Sequence, residues 1–592
     1  MKYQLIKPVN KEYTALEQVL TNRGINREDI SHYINTTDTD INSPLKFGEE
    51  SLKAAATAII TTIKNEKNAI IIVDSDCDGF TSSATLINYL YDLFPAWVEN
   101  HLTWIIHEGK QHGLSDCCDS ILQNNYSLVI IPDAGSNDYE YHKKLKEAGI
   151  ITVILDHHEA EYISSDAIVI NNQLSDYPNK QLSGVGVTWQ FCRYIDLLLG
   201  TSNAEQYLDL VALGNTADMM SLKSLETKHL INKGFEPDNI HNPFIYSMWQ
   251  KNQFKLGDHI TSWGAAFYIA PFVNAMVRSG TQSEKTLLFE SMLKFKAFQM
   301  IPSNKRGHKL GEEEQLVEQA IRTCTNVKNR QTRAQDAGLD FLENMIQEQN
   351  LLDNKVLLFL LKPGQVDRNI AGLIANKFMA KYQRPCCILT RVEENAEDGS
   401  VVTSYQGSAR GCDKVGVTEF KDICAETGFT MYEVGHQGAF GLGISADNVD
   451  NFIHSTNNIL KDMSEEPLYY VDYIYNGNEV NPQNILDIAD MDGFWGKDID
   501  ESLIAIKNLK VTKDMVTLMS PDKTPTLKIV LPNKVSIIKF GSSQEEYNKI
   551  ATDGFITLDI IGKCNKNVWN GWVNAQIMLE DYEIVDSCKY YF

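Results

Sequence analysis

Four short apolar runs, each ending in an acid or a histidine pair, constrain this chain more than anything else in it. They read IIVDSDCDGF (71–80), LVIIPDAGS (128–136), ITVILDHHE (151–159) and LVALGNTADMM (210–220). Each reads as a parallel strand. Between them the apolar spacing switches to that of a helix, as in FTSSATLINYLYDLF and YEYHKKLKEAG. Such βαβ repetition builds a parallel sheet with helices on both faces. Ligands bind such sheets outside the carboxyl ends of the strands, so side chains placed there converge on one crevice. Asp76, Asp78, Asp133, Asp156, His157, His158 and Asp218 are therefore expected to wall a single metal site. Carboxylate oxygens with imidazole suit Mn²⁺ or Mg²⁺, and shared carboxylates can hold two ions about 3.5–4 Å apart for phosphoryl chemistry. The pattern points to a two-metal phosphodiesterase.

The D-x-D-x-D-G of residues 74–79 also resembles the start of a calcium loop. The twelfth position is Thr85 instead of a bidentate glutamate, and a strand and a helix flank the cluster instead of two helices. A solvated acidic turn does not fit either, because the apolar run before it buries the backbone. An adjacent histidine pair is weak by itself. After ITVIL, and beside three other acid-tipped runs, it becomes a ligand and a phosphate contact.

At 592 residues the chain exceeds one core and is expected to divide. Residues 1–50 carry helical patterns; residues 51–310 form the α/β lobe with an extension. A long amphipathic helix over about 311–350, with Leu316, Ala320, Val327 and Ala334 on one side, links it to a second α/β lobe over 351–464. Residues 465–592 turn to short strands (VSIIKF, FITLDIIGKC, GWVNAQIMLEDYEI), which suggests a small β-barrel. The acidic stretch 393–400 reads as a solvated turn. Of Phe494, Trp495, Trp569 and Trp572, which invite a base-stacking reading, most are expected to fill the interior. Eleven cysteines without a C-x-x-C argue against structural zinc and disulfides and fit a reducing cytosol. No apolar run is long enough to span a membrane, and MKYQLIKPVNKEY lacks the apolar core of a signal peptide. The net charge of −24 speaks against a nucleic-acid partner. Bound cations and the local basic stretches 303–309 and 326–333 offset that objection.

DSDCDG, PDAG, DHH and GNTAD resemble, in order and spacing, the four motifs of the DHH phosphoesterase superfamily. LSGVGVTWQF (182–191), APFVNAMVRSG (270–280), GSARG (407–411) and VGHQGAFGLGI (434–444) resemble segments of RecJ, the single-strand-specific 5′→3′ DNA exonuclease, the last two falling in its DHHA1 lobe. Residues 562–584 resemble the strand-rich end of its oligonucleotide-binding barrel. The likeness covers about residues 50–592. It implies two α/β lobes, DHH and DHHA1, joined by a long helix, with a C-terminal OB-type β-barrel.

By the same resemblance the metal ligands are Asp76, Asp78, Asp133, His157 and Asp218, with Asp133 bridging two Mn²⁺ or Mg²⁺ ions. Asp74 and Asp156 orient those ligands, and His158 meets the scissile phosphate or helps to move a proton. Arg278, Ser408 and Arg410 form the pocket for a 5′ phosphate, while Asn274, His436, His107 and Lys110 also contact the substrate. The chain departs from the pattern at Ile72, where the superfamily often has histidine. It departs also at His107, in the place of an arginine, with Lys110 nearby to compensate, and at Val434-Gly435-His436 in place of Gly-Gly-His. The expectation is a monomeric, cytoplasmic exonuclease acting on single-stranded DNA from the 5′ end in recombination and repair, with a single-strand-binding protein or a helicase as partner. The rivals are a phosphodiesterase of short oligoribonucleotides or cyclic dinucleotides, which would lack the C-terminal third, and a non-catalytic replication scaffold, which would have lost ligands.

Overall fold

The computed structural model describes residues 1–109, 111–395, 401–464, 466–520, 523–569 and 571–589. The chain forms two compact units. The first comprises Arg23–Lys328 and Asp490–Glu501; the second comprises Met1–Asn22, Asn329–Ala489 and Ser502–Phe592.

The first unit is built on five strands: β1 (Ala69–Val73), β2 (Leu102–Ile106), β3 (Leu128–Pro132), β4 (Ile151–Asp156) and β5 (Ile168–Asn171). They lie in the order β2-β1-β3-β4-β5, all parallel. AIIIV and LVIIP are buried along their whole length, as strands covered on both faces must be. The strand order reverses between β1 and β3, which opens a crevice at their carboxyl ends. The acids of the first two runs stand at that reversal.

Three helices pack behind the crevice: α1 (Cys77–Leu93), α2 (Gly184–Leu199) and α3 (Leu208–Ala217). The fourth run is thus a helix, where a strand was expected. Leu208 to Thr216 are all buried, so the segment is enclosed on every side and shows no 3.6-residue stripe. A short buried run of this kind has no periodicity to separate helix from strand. Asp218 follows α3 as its C-cap residue. Helix α4 (Ala270–Ser279) carries two further expected site residues.

Helix α5 (Leu316–Glu348) starts after a short strand, Glu313–Gln315, that pairs with Met300–Pro302, so the helix expected from 311 begins five residues later. Leu316, Ala320 and Val327 are buried as expected, but Ala334 is exposed. The buried stripe continues through Gln331, Gln335 and Gly338, and its polar members hid it from a hydrophobicity reading.

In the second unit, β6 (Leu357–Leu361), helix α6 (Arg368–Tyr382), β7 (Cys386–Asn395), β8 (Val401–Arg410), β9 (Thr430–His436) and β10 (Ala439–Ser445) form a sheet of order β9-β10-β8-β7-β6. Strand alternation sorts its faces. Leu357, Phe359, Cys386 and Ile388 pack with Ile370, Ile374 and Phe378 of α6, whereas Leu358, Cys387 and Leu389 pack with Phe420, Phe440 and Phe452. Residues 396–400 of the expected acidic turn lie outside the described residues. The N-terminal segment is not wholly helical: Lys2–Leu5 pairs in parallel with Leu468–Val471.

The C-terminal region is a seven-stranded sheet. Its strands are β11 (Tyr473–Asn476), β12 (Leu503–Thr512), β13 (Val516–Met519), β14 (Thr526–Val530), β15 (Ser536–Phe540), β16 (Gly554–Trp569) and β17 (Trp572–Lys589). The order is β11-β12-β16-β17-β15-β14-β13, and the two end strands are not paired with each other among the described residues. Trp495 is buried and Phe494 stacks on Tyr33, with ring centroids 6.4 Å apart; both aromatics belong to the first unit. Trp572 is 77% exposed, against the expectation of core, and the Trp569 side chain lies outside the described ones. The ten cysteines with described side chains are all free and buried: Cys77, Cys117, Cys118, Cys192 and Cys324 in the first unit, and Cys386, Cys387, Cys412, Cys424 and Cys564 in the second. No helix among the described residues is long and apolar enough to cross a membrane.

Candidate metal centre

The turn after β1 delivers three acids. Asp76 caps α1, its carboxylate accepting from Gly79 N–H at 2.9 Å. Asp78, inside the first turn, points at the start of α2. There it accepts hydrogen bonds from Gly184 N–H (2.6 Å), Val185 N–H (3.1 Å) and the Ser183 hydroxyl (3.0 Å). A helix N-terminus favours an anion, so α2 fixes this carboxylate in position. Asp74, deeper in the turn, pairs with His112 Nδ1 at 2.7 Å.

Asp133 follows β3 with φ of +70°, in the left-handed region that a residue with a side chain seldom occupies. Such strain persists where the surroundings enforce it, characteristically at a functional site. Gly184 is what lets α2 approach: a Cβ there would lie 2.3 Å from Asp133 Oδ1 and 2.7 Å from its Cα. After β4, Asp156 organises the histidine pair. Its Oδ1 accepts from the backbone N–H of His157 (2.7 Å) and pairs with His158 Nδ1 (2.8 Å), and its Oδ2 accepts from Ser136 N–H (3.1 Å). Asn171, at the end of β5, donates to the Ser136 hydroxyl and to the His158 carbonyl, both at 2.9 Å.

These elements bring His157 Nε2 to 3.2 Å from Asp133 Oδ1, 3.4 Å from Asp218 Oδ2 and 3.9 Å from Asp78 Oδ2. Three overlapping groups result: Asp78, His157 and Asp218; Asp74, Asp76 and Asp133; and Asp133, Asp156, His157 and His158. Asp133 belongs to two of them, the position a shared ligand would take. Asp133 Oδ1, Asp74 Oδ1 and His157 Nε2 are buried without a hydrogen-bond partner. Buried polar atoms left unpaired cost free energy, and a hard divalent cation is the partner this set of oxygens and imidazole fits.

Electrostatics agree. Burial, then repulsion from Asp76, pushes the Asp78 carboxyl up to about 6. Burial, then Asp78 and Asp76, pushes Asp218 up to about 8. Asp133 rises well above the ordinary range through burial and the neighbouring acids, Asp78 first. His157 falls to about 4 through burial and the nearby His158. Burial opposes charge on His158, yet the bond to Asp156 lifts it to about 9. Asp156, despite burial, is held below the ordinary carboxylate range by His158. The crevice therefore holds several acids that repel one another beside one cationic imidazole.

Of the expected substrate contacts, Asn274 and Arg278 lie one turn apart on α4, half-buried, and the charge of Asp76 reaches Arg278. In the second unit, Ser408 and Arg410 share one side of β8. A Cβ on Gly372 of α6 would lie 2.3 Å from Arg410 Nη2 and 3.4 Å from Ser408 Oγ, so that glycine makes room for both. His436 is exposed at the end of β9. His107 is buried and bonded to Asp116. Lys110 lies outside the described residues. Sequence reasoning missed His112, Ser136 and Asn171. Each is a polar residue in a loop or at a strand end with no pattern of its own, and only the fold shows what it touches.

The DHH family, N-terminal domain, matches residues 68–215. The chain is 32% identical over 588 residues, 99% of its own length and 98% of the relative's, to YorK of the SPbeta prophage of Bacillus subtilis strain 168, provisionally named a single-strand DNA-specific exonuclease. It is 26% identical to the single-stranded-DNA-specific exonuclease RecJ of the same bacterium, over 95% of this chain and 67% of that one. Its fold is similar to that of Thermus thermophilus RecJ in complex with Mn²⁺, with a TM-score of 0.68, 16% identity and coverage of 99% of this chain and 80% of that one.

Proposed function

This chain belongs to the RecJ-like single-strand DNA-specific exonucleases of the DHH superfamily, and from that premise we propose that it degrades single-stranded DNA from the 5′ end to 5′-mononucleotides. The observation that carries the reading is the burial of Asp133 Oδ1 and His157 Nε2 without hydrogen-bond partners, 3.2 Å apart, among Asp76, Asp78 and Asp218. Two Mn²⁺ or Mg²⁺ ions held there would supply Lewis acidity and a hydroxide nucleophile.

The chain's own groups do the rest. Asp78 is immobilised by the start of α2, which also closes on Asp133 at Gly184, so the Asp78 carboxylate does not have to reorganise during the reaction. His158, lifted to about 9 beside Asp156, is cationic at neutral pH. It can hold a phosphate oxygen and hand a proton to the departing 3′-oxygen. Asp156 positions that imidazole and keeps it charged. Asp74 receives His112 and acts on the ligands from behind.

Arg278 and Asn274 on α4 are the first unit's charge-assisted contacts to the strand, and Ser408 and Arg410 on β8 are the second unit's contacts to a terminal phosphate. His436 and Lys110 are the remaining expected substrate contacts, whereas His107, buried against Asp116, is not one, and the C-terminal strands serve as an OB-type module for the strand. The setting is recombination and repair in the cytoplasm, by a monomer that meets a single-strand-binding protein or a helicase.

The test is a 3′-labelled, 5′-phosphorylated single strand incubated with the protein and Mn²⁺. Labelled fragments that shorten progressively are the expected result. A strand left intact, while short oligoribonucleotides or cyclic dinucleotides are hydrolysed, would replace the reading.

A further inference from the structure

Among its described residues the first unit carries two buried lysines, and their surroundings differ. Lys285, 2% exposed, gives its ammonium to the carbonyls of His107 (3.1 Å) and Glu108 (2.7 Å). Lys228, on the helix Leu225–Gly234, is 3% exposed, and its ammonium has no hydrogen-bond or ion-pair partner among the described residues. It lies 4.7 Å from the ring centre of Tyr33 and 5.4 Å from that of Phe494. Aromatic faces attract a cation, yet they leave its three N–H donors unsatisfied. Asp40 is the carboxylate whose charge reaches it, but Asp40 is already bonded to His32 and to Thr37 N–H. Burial accordingly pushes the ammonium down to about 8.

Lys228 borders a cavity of about 410 Å³. Ile34, Phe235 and Phe494 form apolar walls, and Asn232, His259 and Ser262 add hydrogen-bonding groups; Glu236, exposed, is the one carboxylate on its lining. That volume is within the range of small-molecule sites, and a few polar groups on mostly apolar walls are their usual make-up. None of the metal-site residues lines it.

We infer that this cavity binds a 5′-mononucleotide, with the phosphate on Lys228 and the base against Phe494 and Phe235. Among molecules with an anionic head and a planar body, the mononucleotide is the one the proposed reaction releases, so this choice of ligand rests on that reading. The anion supplies the acceptor that the ammonium at the cavity wall lacks, and a π-face offers a base sequence-tolerant stacking. The site is a product-binding site separate from the metal centre.

Reductive methylation of the full-length wild-type protein at pH 8 in EDTA, read by peptide mass spectrometry, tests this without relying on a variant. Thymidine 5′-monophosphate is expected to slow Lys228 labelling at least tenfold. Thymidine should do little, and inorganic phosphate should protect only at far higher concentration. The same protection is expected in Asp133→Ala, which separates this cavity from the metal centre, and binding by calorimetry should be lost in Lys228→Met. Unprotected Lys228, protection abolished by Asp133→Ala, or phosphate protecting as well as the nucleotide would each overturn the assignment. Protection of Lys228 in a protein that proved inactive on DNA would uphold the site and dismiss the exonuclease reading alone.

Discussion

At the scale of single residues, the centre is decided by groups that the fold places but does not pair. Asp133 combines a left-handed backbone with a buried oxygen that has no partner, and it belongs to two of the three ligand groups. Asp133→Ala should lower cleavage by at least 1,000-fold, on the order expected for lost electrostatic stabilisation, with an unchanged circular-dichroism spectrum. Retained turnover would remove it from the site. The titrating groups also fix a pH dependence. Asp218 (raised to about 8) and His158 (raised to about 9) hold protons more tightly folded than unfolded. Between about pH 6.5, the unperturbed histidine value, and pH 8, the folded chain therefore binds more protons, and metal-free stability falls as pH rises. Mn²⁺ must displace the proton of Asp218, so its apparent affinity should climb over the same interval, with proton release visible by calorimetry in buffers of different ionisation enthalpy. The cluster of acids and histidines was legible because acids at the tips of apolar runs have one economical explanation. His112 was not, since its meaning depends on contact with Asp74 across thirty-eight positions of sequence.

At the scale of elements, α2 is the decisive piece. Its first turn holds Asp78, and its first residue presses on Asp133. Gly184→Ala would drive a methyl into both the side chain and the backbone of Asp133. Overpacking of that kind costs about 1–3 kcal/mol, and a displacement near 1 Å at reacting groups costs about 100-fold in rate. Activity is expected to fall by about that factor while the variant stays folded, and a fully active variant would mean the contact yields elsewhere. In the second unit, Gly372 admits Arg410 beside Ser408. Arg410→Ala should weaken cleavage of 5′-phosphorylated strands more than of 5′-hydroxyl strands; equal loss on both would count against a terminal-phosphate pocket there. The sequence made β1, β3 and β4 plain, since strands covered on both faces must be unbroken apolar runs. It misread α3 for a related reason, because a helix buried on every side shows, in LVAL, the same short apolar run. Asp218 closes that run whichever element it forms, and it lies with Asp78 and His157 even so.

At the scale of the whole molecule, division into more than one core was foreseeable from length, whereas membership was not: residues 490–501 join the first unit and residues 1–22 the second, a threading no local pattern encodes. The buried cysteines turn that threading into a measurement. Five of them lie in each unit, every one enclosed, and thiolates form only when the surrounding core opens. A thiol reagent applied to the native protein thus becomes a pair of clocks, one ticking with each core's excursions. Mn²⁺ should slow the clock of Cys77, Cys117, Cys118, Cys192 and Cys324, since it binds folded residues of their unit. If the set from Cys386 to Cys564 slows equally, the two cores open as one.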